Sequence, residues 1–319
     1  MNSITVALDG TGGDPSSTRG IVRAVTFALT MYPAMKLLIF GSSQLEADLL
    51  RANVSPKRFE LRLAPQGIPQ DEEPRRVLKR YTRSALWQAI SAVKEGAADA
   101  VISGGGTGPI VTLARHILGT YPHMRPALCA RMPSGPGHFS LMLDLGANSS
   151  CDARALADFA ILGQECCRVL LGNADPRVTL LNVGSERDKG NELIRHARDL
   201  MEQERRLNFM GYLEADRIFT GDADVIVTDG FTGNVALKAA EGVAGVFTHV
   251  SGIKKLFAKW ARPEWLLPWQ YNGSLLLGVN GVVVKSHGSA GEEALAVAMV
   301  EAARNAELKL SEQIRERLF

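Results

Sequence analysis

The chain repeats one local pattern: an apolar run, then a glycine-rich turn, then a stretch with helical periodicity. Residues 225–238 read VIVTDGFTGNVALK, which predicts a strand, a tight loop and a helix N-terminus. Unpaired backbone N–H groups and the helix dipole at such a terminus both favour an anion. Four more segments share the pattern, namely 6–14, 101–108, 141–152 and 180–190. Because the carboxyl ends of parallel strands share one edge, we expect these loops to converge on an anion-handling active site.

Strand-like and helix-like patterns alternate along the whole chain. The predicted strands are 4–8, 37–40, 59–63, 98–102, 127–131, 139–143, 178–182, 208–213, 224–227 and 282–284. Several are apolar on consecutive residues, as in strands covered on both faces. This alternation predicts a layered α/β protein. The proline-rich stretches 65–74 and 133–137 are predicted to be surface loops, so residues 1–319 are expected to form a single α/β domain.

Composition excludes several classes of protein. Thirty-six Lys plus Arg against 34 Asp plus Glu give a formal charge of +2, too balanced for a protein whose main partner is nucleic acid. The four cysteines lack C-x-x-C spacing, which favours a reducing cytoplasmic interior. No signal peptide and no bilayer-spanning apolar run is expected. Zinc-protease, Walker and G-x-S-x-G patterns are absent from the sequence, so we predict no metal site.

A long helix is predicted at the C-terminal end. Ser289 and Glu292 fit a capping box. Apolar residues recur along one side of the following stretch, so the helix is expected to run to about Leu318.

The segment after the strand 224–227 carries five candidate site residues. These are Asp229, Gly230, Thr232, Gly233 and Asn234. They could bind an anion, or Asp229 and Asn234 could only shape the turn and cap the helix; the sequence leaves these alternatives about equal.

A second candidate group follows the strand 178–182. Asn182, Gly184 and Lys189 lie in NVGSERDKG. A lysine near a helix N-terminus opposes the dipole, a cost that anion binding would explain. On position alone, a solvated lysine beside Asp188 and Glu192 is the more frequent outcome.

Two further groups lie at predicted strand ends. Lys285, Ser286 and His287 follow the strand 282–284; they suit a phosphate and a proton transfer, or equally an ordinary turn. The earliest loop contributes four residues, Asp9, Gly12, Gly13 and Asp14. There Asp9 could orient a cation or a backbone loop, and Asp14 before Pro15 could be a plain helix start.

Two basic segments are candidate contact surfaces. Residues 253–270 read IKKLFAKWARPEWLLPWQ and hold three of the four tryptophans. Trp and Leu interleaved with Lys and Arg are typical of an interfacial membrane element, and equally of a subunit contact. Basic residues also cluster at Arg75, Arg76, Lys79, Arg80 and Arg83, where they form a solvated face or dock an acidic partner.

Taken together, the ordered motifs resemble the PlsX family of phosphate acyltransferases over nearly the whole chain. The motifs are DLGAN at 144–148, FAILG at 159–163, ADPRVTLLNVG at 174–184, GYLEA at 211–215, DGFTGNVALKAAEG at 229–242, QYNG at 270–273 and KSHG at 285–288. Where the family has MGGD and SAGNTGA, this chain has TGGD at 11–14 and SGGGTGP at 103–109. Gly105 therefore replaces an expected Asn, and Pro109 replaces a small residue.

The resemblance implies a fold like that of isocitrate and isopropylmalate dehydrogenases: a three-layer α/β/α sandwich of two intertwined halves around a mostly parallel sheet, usually a homodimer. It implies the conversion of acyl-[acyl carrier protein] and inorganic phosphate to acyl phosphate and free carrier protein, in phospholipid synthesis, without a cofactor. Membrane contact would be peripheral, through 253–270. The resemblance also adds Gly106, Thr107, Gly108 and Asn148 to the candidate substrate-binding residues.

The implied reaction needs no catalytic triad, because phosphate is already an anionic nucleophile and a thiolate is a comparatively stable leaving group. Lys189 would neutralise phosphate, Asn234 would donate to phosphate or to the oxyanion, and His287 would protonate the leaving sulfur. The alternatives are a phosphotransacetylase-like enzyme that uses acyl-CoA and a catalytically weakened regulatory or binding member of the family. A nicotinamide dehydrogenase is disfavoured, because no G-x-G-x-x-G opening with a later ribose-binding acid is present.

Overall fold

The computed structural model describes residues 3–13, 18–248, 268–288 and 290–319. Its chain divides into two compact units. Unit 1 comprises Met1–Pro126 and Asn272–Phe319, and unit 2 comprises Ala127–Tyr271. Unit 1 is therefore built from two separate stretches of sequence. The expectation of a single domain with two intertwined halves stays a prediction.

Unit 1 is a mostly parallel sheet with helices. Numbered along the chain, its strands are β1 (Ile4–Asp9), β2 (Met35–Gly41), β3 (Phe59–Leu63), β4 (Ala100–Ser103), β10 (Ser274–Leu277) and β11 (Val282–Lys285). Its helices are α1 (Thr18–Met31), α2 (Ser43–Arg51), α3 (Pro74–Arg80), α4 (Ala85–Lys94), α5 (Thr107–Ile117), α9 (Glu292–Glu307) and α10 (Leu310–Leu318). The strand order is β3-β2-β1-β4-β11-β10, and only the β10–β11 pair is antiparallel.

Unit 2 has a smaller sheet of similar design. Its strands are β5 (Ala127–Gly135), β6 (His138–Leu143), β7 (Val178–Asn182), β8 (Phe209–Glu214) and β9 (Val225–Val227), and its helices are α6 (Ala153–Leu171), α7 (Glu192–Gln203) and α8 (Gly230–Thr248). The order is β5-β6-β9-β7-β8. The hairpin β5–β6 is antiparallel, and the other pairs are parallel.

Central strands are covered on both faces. In β1, Val6, Ala7 and Leu8 are at most 2% exposed although successive side chains point to opposite faces. The helices α4 and α9 both pack on β1 and β4, which accounts for this double burial. In unit 2, α6 packs on β6 and β9. The predicted layered α/β class is confirmed.

All ten predicted strands correspond to observed ones, and nine of them differ by at most two residues at either end. Strand β5 runs four residues further than predicted, to Gly135. The prediction of a surface loop at 133–137 was therefore wrong for 133–135, which pair with β6 in the hairpin. The prediction missed β10, a four-residue strand in which three leucines follow Ser274. Such a run is too short to show a period that separates strand from loop.

The prediction of one continuous C-terminal helix was wrong. Helix α9 ends at Glu307, and Lys309 adopts a left-handed φ of 48° before α10 begins. The N-cap of α9 is Gly291 and makes no side-chain cap, so Glu292 opens the helix without the expected box. Ser289 lies outside the described residues.

One helical glycine sets the distance between α6 and its sheet. A Cβ atom added at Gly163 would lie 2.6 Å from Val225 Cγ1 and 2.8 Å from Leu143 Cδ2. At Gly242, on the exposed side of α8, a Cβ atom would meet nothing within 4 Å. Alanine substitutions at these two positions therefore separate the effect of packing on stability from the effect of helix propensity.

We expect Gly163→Ala to lower the free energy of unfolding by about 1–2 kcal/mol, because overpacking outweighs the gain in propensity. The matched variant Gly242→Ala should raise it by about 0.5–1 kcal/mol, since only the propensity gain acts there. Urea unfolding followed by circular dichroism measures both. Equal shifts in the same direction would contradict the close approach of α6 to β6 and β9.

Candidate active site

In unit 1 the carboxylate of Asp9 ties the loop after β1 to the loop after β4. Its Oδ1 accepts from the Thr11 N–H at 3.1 Å and the Thr11 hydroxyl at 2.8 Å. Its Oδ2 accepts from the Ser103 hydroxyl at 2.6 Å, and Ser103 Oγ in turn accepts from the Gly105 N–H at 2.9 Å. Of the two alternatives for Asp9, the structure supports the one in which it orients a backbone loop.

The β1 loop approaches the β4 loop so closely that only glycine fits. A Cβ atom at Gly12 would lie 2.7 Å from Asp9 Oδ2 and from Ser103 Oγ. Gly13 has a φ of 106° and lies against the carbonyl of Gly288. Asp14 falls outside the described residues.

The loop after β11 joins the same cluster. The Ser286 N–H donates to the Ser103 carbonyl at 2.9 Å. The buried Ser286 Oγ accepts from Asn272 Nδ2 at 2.8 Å, and Asn272 Oδ1 accepts from the His287 N–H at 3.0 Å. Lys285 is half-buried, and its Nζ donates to the Ser286 carbonyl at 3.2 Å. The loops after β1, β4 and β11 thus converge, as the sequence predicts.

Helix α5 begins inside this cluster. Gly106 is its N-cap and offers no side-chain cap. Thr107 and Gly108 form the first turn with Pro109, which has no N–H group. The half-buried Thr107 and the exposed Gly108 therefore carry the backbone donors of this helix N-terminus.

The loop 64–73 does more than run along the surface. A Cβ atom at Gly106 would lie 2.0 Å from the Gln70 carbonyl oxygen, and one at Gly288 would lie 3.1 Å from Gln70 Nε2. Gly67 similarly lies against Thr11. The segment therefore packs on all three glycine loops of unit 1.

In unit 2 a second buried carboxylate holds the loop after β6. Asp144 Oδ1 accepts from the N–H groups of Leu128 at 2.9 Å and Ala147 at 3.0 Å. Its Oδ2 accepts from the N–H of Asn148 at 2.8 Å and from Asn148 Nδ2 at 2.9 Å. Asn148 is thus a loop-bracing residue.

The first turn of α8 packs directly on this loop. A Cβ atom at Gly230 would lie 2.2 Å from the Asn148 carbonyl oxygen, and one at Gly233 would lie 2.0 Å from the Asp144 carbonyl oxygen. These two glycines are required for the approach of the helix. The loops after β6 and β9 therefore converge.

Asp229 and Asn234 have different roles. Asp229 Oδ1 accepts from the N–H groups of Phe231 and Thr232, and its Oδ2 accepts from the Thr232 hydroxyl at 2.6 Å. Asp229 therefore caps α8. Asn234 is exposed, and its side chain makes no hydrogen bond within the described ranges. The amide is available to a ligand.

Lys189 lies in the loop after β7, three residues before α7. Asn182 Nδ2 donates to the Gly184 carbonyl at 3.1 Å, which closes the start of this loop. A Cβ atom at Gly184 would lie 3.1 Å from Lys189 Cγ, so glycine leaves room for the lysine stem. Lys189 is exposed, and among the described residues it forms no ion pair with Asp188 or Glu192. Its ammonium group is uncommitted.

Burial raises the pKa of Asp9 above its usual value, although the hydrogen bonds from Ser103 and Thr11 oppose the shift. Burial likewise raises the pKa of Asp144 against the hydrogen bonds of Asn148 and Ala147. Desolvation thus exceeds the effect of the surrounding donors at both sites. In the described part of the chain, no three His, Cys, Asp or Glu side chains are grouped to hold a metal ion.

Sequence reasoning missed four residues that organise these loops, namely Gln70, Ser103, Asp144 and Asn272. Ser103, Asp144 and Asn272 stand in the motifs SGGGTGP, DLGAN and QYNG, respectively, and a polar residue at or next to a strand is the signal that the sequence carries for them. Gln70 acts mainly through its backbone, for which a sequence carries no signal.

Comparisons with known proteins cover nearly the whole chain. A family model described as fatty acid synthesis protein matches residues 4–313. A protein of Aeromonas salmonicida named phosphate acyltransferase is 42% identical over 333 residues, with 100% of this chain and 97% of that protein covered. A phosphate acyltransferase of Vibrio vulnificus (strain YJ016) is 40% identical over 334 residues, with the same coverage.

Solved structures share the fold at low identity. A phosphotransacetylase from Streptococcus pyogenes superposes with a TM-score of 0.66 at 18% identity, covering 96% of this chain and 94% of that one. A branched-chain phosphotransacylase from Enterococcus faecalis gives a TM-score of 0.64 at 16% identity, covering 95% and 99%. These likenesses concern the fold alone.

The raised pKa of Asp9 predicts a pH dependence of stability. The folded state holds this proton more tightly than the unfolded state, so stability falls as pH rises from the ordinary aspartate value near 4 through the folded pKa. Asp9→Asn removes this loss. The free energy of unfolding of the variant, relative to wild type, should therefore increase as pH rises over that window, as measured by urea unfolding at several pH values.

Asp224 provides a control of opposite sign. Burial would raise its pKa, but the hydrogen bonds from Arg177 hold the pKa below its usual value. The Asp224 carboxylate therefore makes wild type more stable relative to Asp224→Asn above about pH 4, and this advantage decreases as pH falls below that value. A difference between Asp9→Asn and wild type that does not change with pH would contradict a raised pKa at Asp9.

Proposed function

The chain belongs to the fatty acid synthesis protein family, and from that premise we propose that it transfers an acyl group from the thioester of an acyl carrier protein to inorganic phosphate. The products are an acyl phosphate and the free carrier protein thiol. The relatives that cover the full chain carry the name phosphate acyltransferase. The step belongs to fatty acid and phospholipid synthesis.

One observation carries the proposal at the level of residues. The strands β7 and β9 are parallel neighbours, with Leu180 opposite Val227. Their carboxyl ends therefore lead into two neighbouring segments, the loop that carries Lys189 and helix α8, which carries Asn234. The former offers an unpaired cation and the latter an unpaired amide, whereas the nearby Asp229 is engaged in capping. A phosphate and a developing oxyanion both require such donors.

The chemistry can proceed by positioning and charge stabilisation. A phosphate oxygen attacks the thioester carbon, a C–O bond forms, and the C–S bond breaks to release the thiolate, which takes up a proton. Lys189 offsets the repulsion between phosphate and the growing oxyanion, and Asn234 donates to one of them. In unit 1, the N–H groups of Thr107 and Gly108 and the ammonium of Lys285 are candidate anion contacts. His287 is the proposed donor to the leaving sulfur.

The cellular setting is part of the proposal. None of the helices in the described ranges has the length and apolarity needed to cross a bilayer. None of the four cysteines, all within the described ranges, forms a disulfide, which is consistent with a cytoplasmic enzyme. We place a peripheral membrane contact at residues 253–270, most of which lie outside the described residues, and we expect a homodimer, as the family resemblance implies.

Trapping of acyl phosphate with hydroxylamine tests the activity and the role of Lys189 together. Purified wild-type protein with acyl-[acyl carrier protein] and phosphate should yield acyl hydroxamate. Lys189→Ala should lower turnover by about a hundredfold or more if the ammonium acts mainly in the transition state. Lys94→Ala, which removes another exposed lysine at the end of α4, serves as the control and should turn over like wild type.

Each possible result has a distinct meaning. A folded Lys189→Ala variant with wild-type turnover would remove Lys189 from the mechanism. Hydroxamate formation from acyl-CoA but not from the carrier thioester would identify a phosphotransacetylase-like enzyme. If neither acyl donor yields hydroxamate, the protein is a binding or regulatory member of the family.

The membrane contact has its own test. If residues 253–270 insert Trp into the lipid interface, Trp265→Glu should abolish co-sedimentation with anionic liposomes, because a carboxylate is repelled by the headgroups and excluded from the acyl region. Retained binding would contradict this assignment. Phe319→Glu, which likewise exchanges an aromatic side chain for a carboxylate, at an exposed position outside this segment, serves as the matched control.

A further inference from the structure

Helix α3 and the turn after it present a basic surface, formed by Arg75, Lys79, Arg80 and Arg83. All four side chains are exposed, and within the described ranges none of them forms an ion pair. Arg75 and Lys79 lie one helical turn apart, opposite the buried Val77. Their charges therefore point away from the body of unit 1.

Two of the three neighbouring carboxylates are already engaged, and the third, Asp71, is exposed. Glu72 accepts a hydrogen bond from the Tyr81 hydroxyl at 2.7 Å, which with other contacts lowers the pKa of Glu72. Glu73 lies 3.4 Å from Arg76. Residues 71–83 hold five basic side chains against three acidic ones, so the segment keeps a net positive charge although Arg80 helps to lower the pKa of Glu72.

The basic surface lies beside the glycine loops of unit 1. It follows directly after Gln70, which packs on Gly106 and Gly288. Helix α3 also packs against α5, the helix that opens from the β4 loop. A macromolecule bound at α3 would therefore be held next to these loops.

The composition of the surface selects the kind of partner. An interfacial membrane element combines basic residues with exposed large apolar ones, but no large apolar side chain of α3 is exposed. A purely cationic, convex helix instead matches a protein surface that presents clustered carboxylates. We propose that this surface docks an acidic carrier protein, the donor of the thioester, a proposal that rests on the proposed function.

Charge reversal tests the docking surface. The variant Arg75→Glu/Lys79→Glu should raise KM for acyl-[acyl carrier protein] by about tenfold or more and leave kcat nearly unchanged, because rim charges act mainly on association. KM for acyl-pantetheine, which carries the same thioester without the protein, should not change. The control Lys57→Glu/Arg317→Glu changes the net charge equally at two exposed positions elsewhere and should resemble wild type.

Direct binding separates this inference from the activity. Fluorescence anisotropy with labelled carrier protein that bears no acyl group should show wild-type binding that weakens with salt, and binding about tenfold weaker for Arg75→Glu/Lys79→Glu. If the wild-type protein forms no acyl phosphate, the proposed function is overturned. The anisotropy measurement would still show whether the carrier protein binds at the basic surface. Unchanged carrier binding in the variant, an equal loss in the control, or a loss of binding to anionic vesicles alone would overturn the docking proposal.

Discussion

In each of the two units, a buried carboxylate at the end of a strand holds the glycine loops of that unit. Asp9 accepts from Thr11 and Ser103, and Asp144 accepts from three backbone N–H groups and one side-chain amide. A loop without side chains has little of its own to fix its conformation. The carboxylates supply that restraint, and the surrounding donors offset part of their desolvation.

The close packing of these loops also explains why certain positions are glycine. At Gly12, Gly106, Gly230 and Gly233, a Cβ atom would lie within 2.7 Å of another atom, so these positions exclude any side chain. The backbone comes closest where one loop crosses a neighbouring loop or segment. Close crossing leaves helix N-termini and strand ends without covering side chains, which is the condition for an anion to reach backbone N–H groups.

The fold could be predicted from the sequence because β1, β6 and β9 are apolar on consecutive residues and each precedes a glycine turn. In these strands the apolar sequence pattern and the burial in the folded protein both favour the same strand structure. The break at Lys309 could not be predicted, since a single left-handed residue leaves the apolar periodicity of α9 and α10 almost intact. The sequence predicts which loops converge but not what each polar side chain does there. Asp229 and Asn234 are both common turn-forming residues, so the sequence does not distinguish them. The hydrogen bonds of the structure show that Asp229 caps α8 and that the Asn234 amide makes no side-chain hydrogen bond within the described ranges.

The charge of the substrates gives a physical reason for this division of roles in the proposed mechanism. A reaction between phosphate and a thioester accumulates negative charge, so a free carboxylate nearby would raise the barrier. In the described loops, Asp9, Asp144 and Asp229 are each surrounded by donors, and two of them are buried. Lys189 and Asn234 remain free to donate. Asp9, Asp144 and Asp229 thus stabilise the scaffold, and in the proposed mechanism Lys189 and Asn234 are left for the anions. Glu186 and Asp188, in the same loop as Lys189, are exposed to solvent, where salt screens their charge.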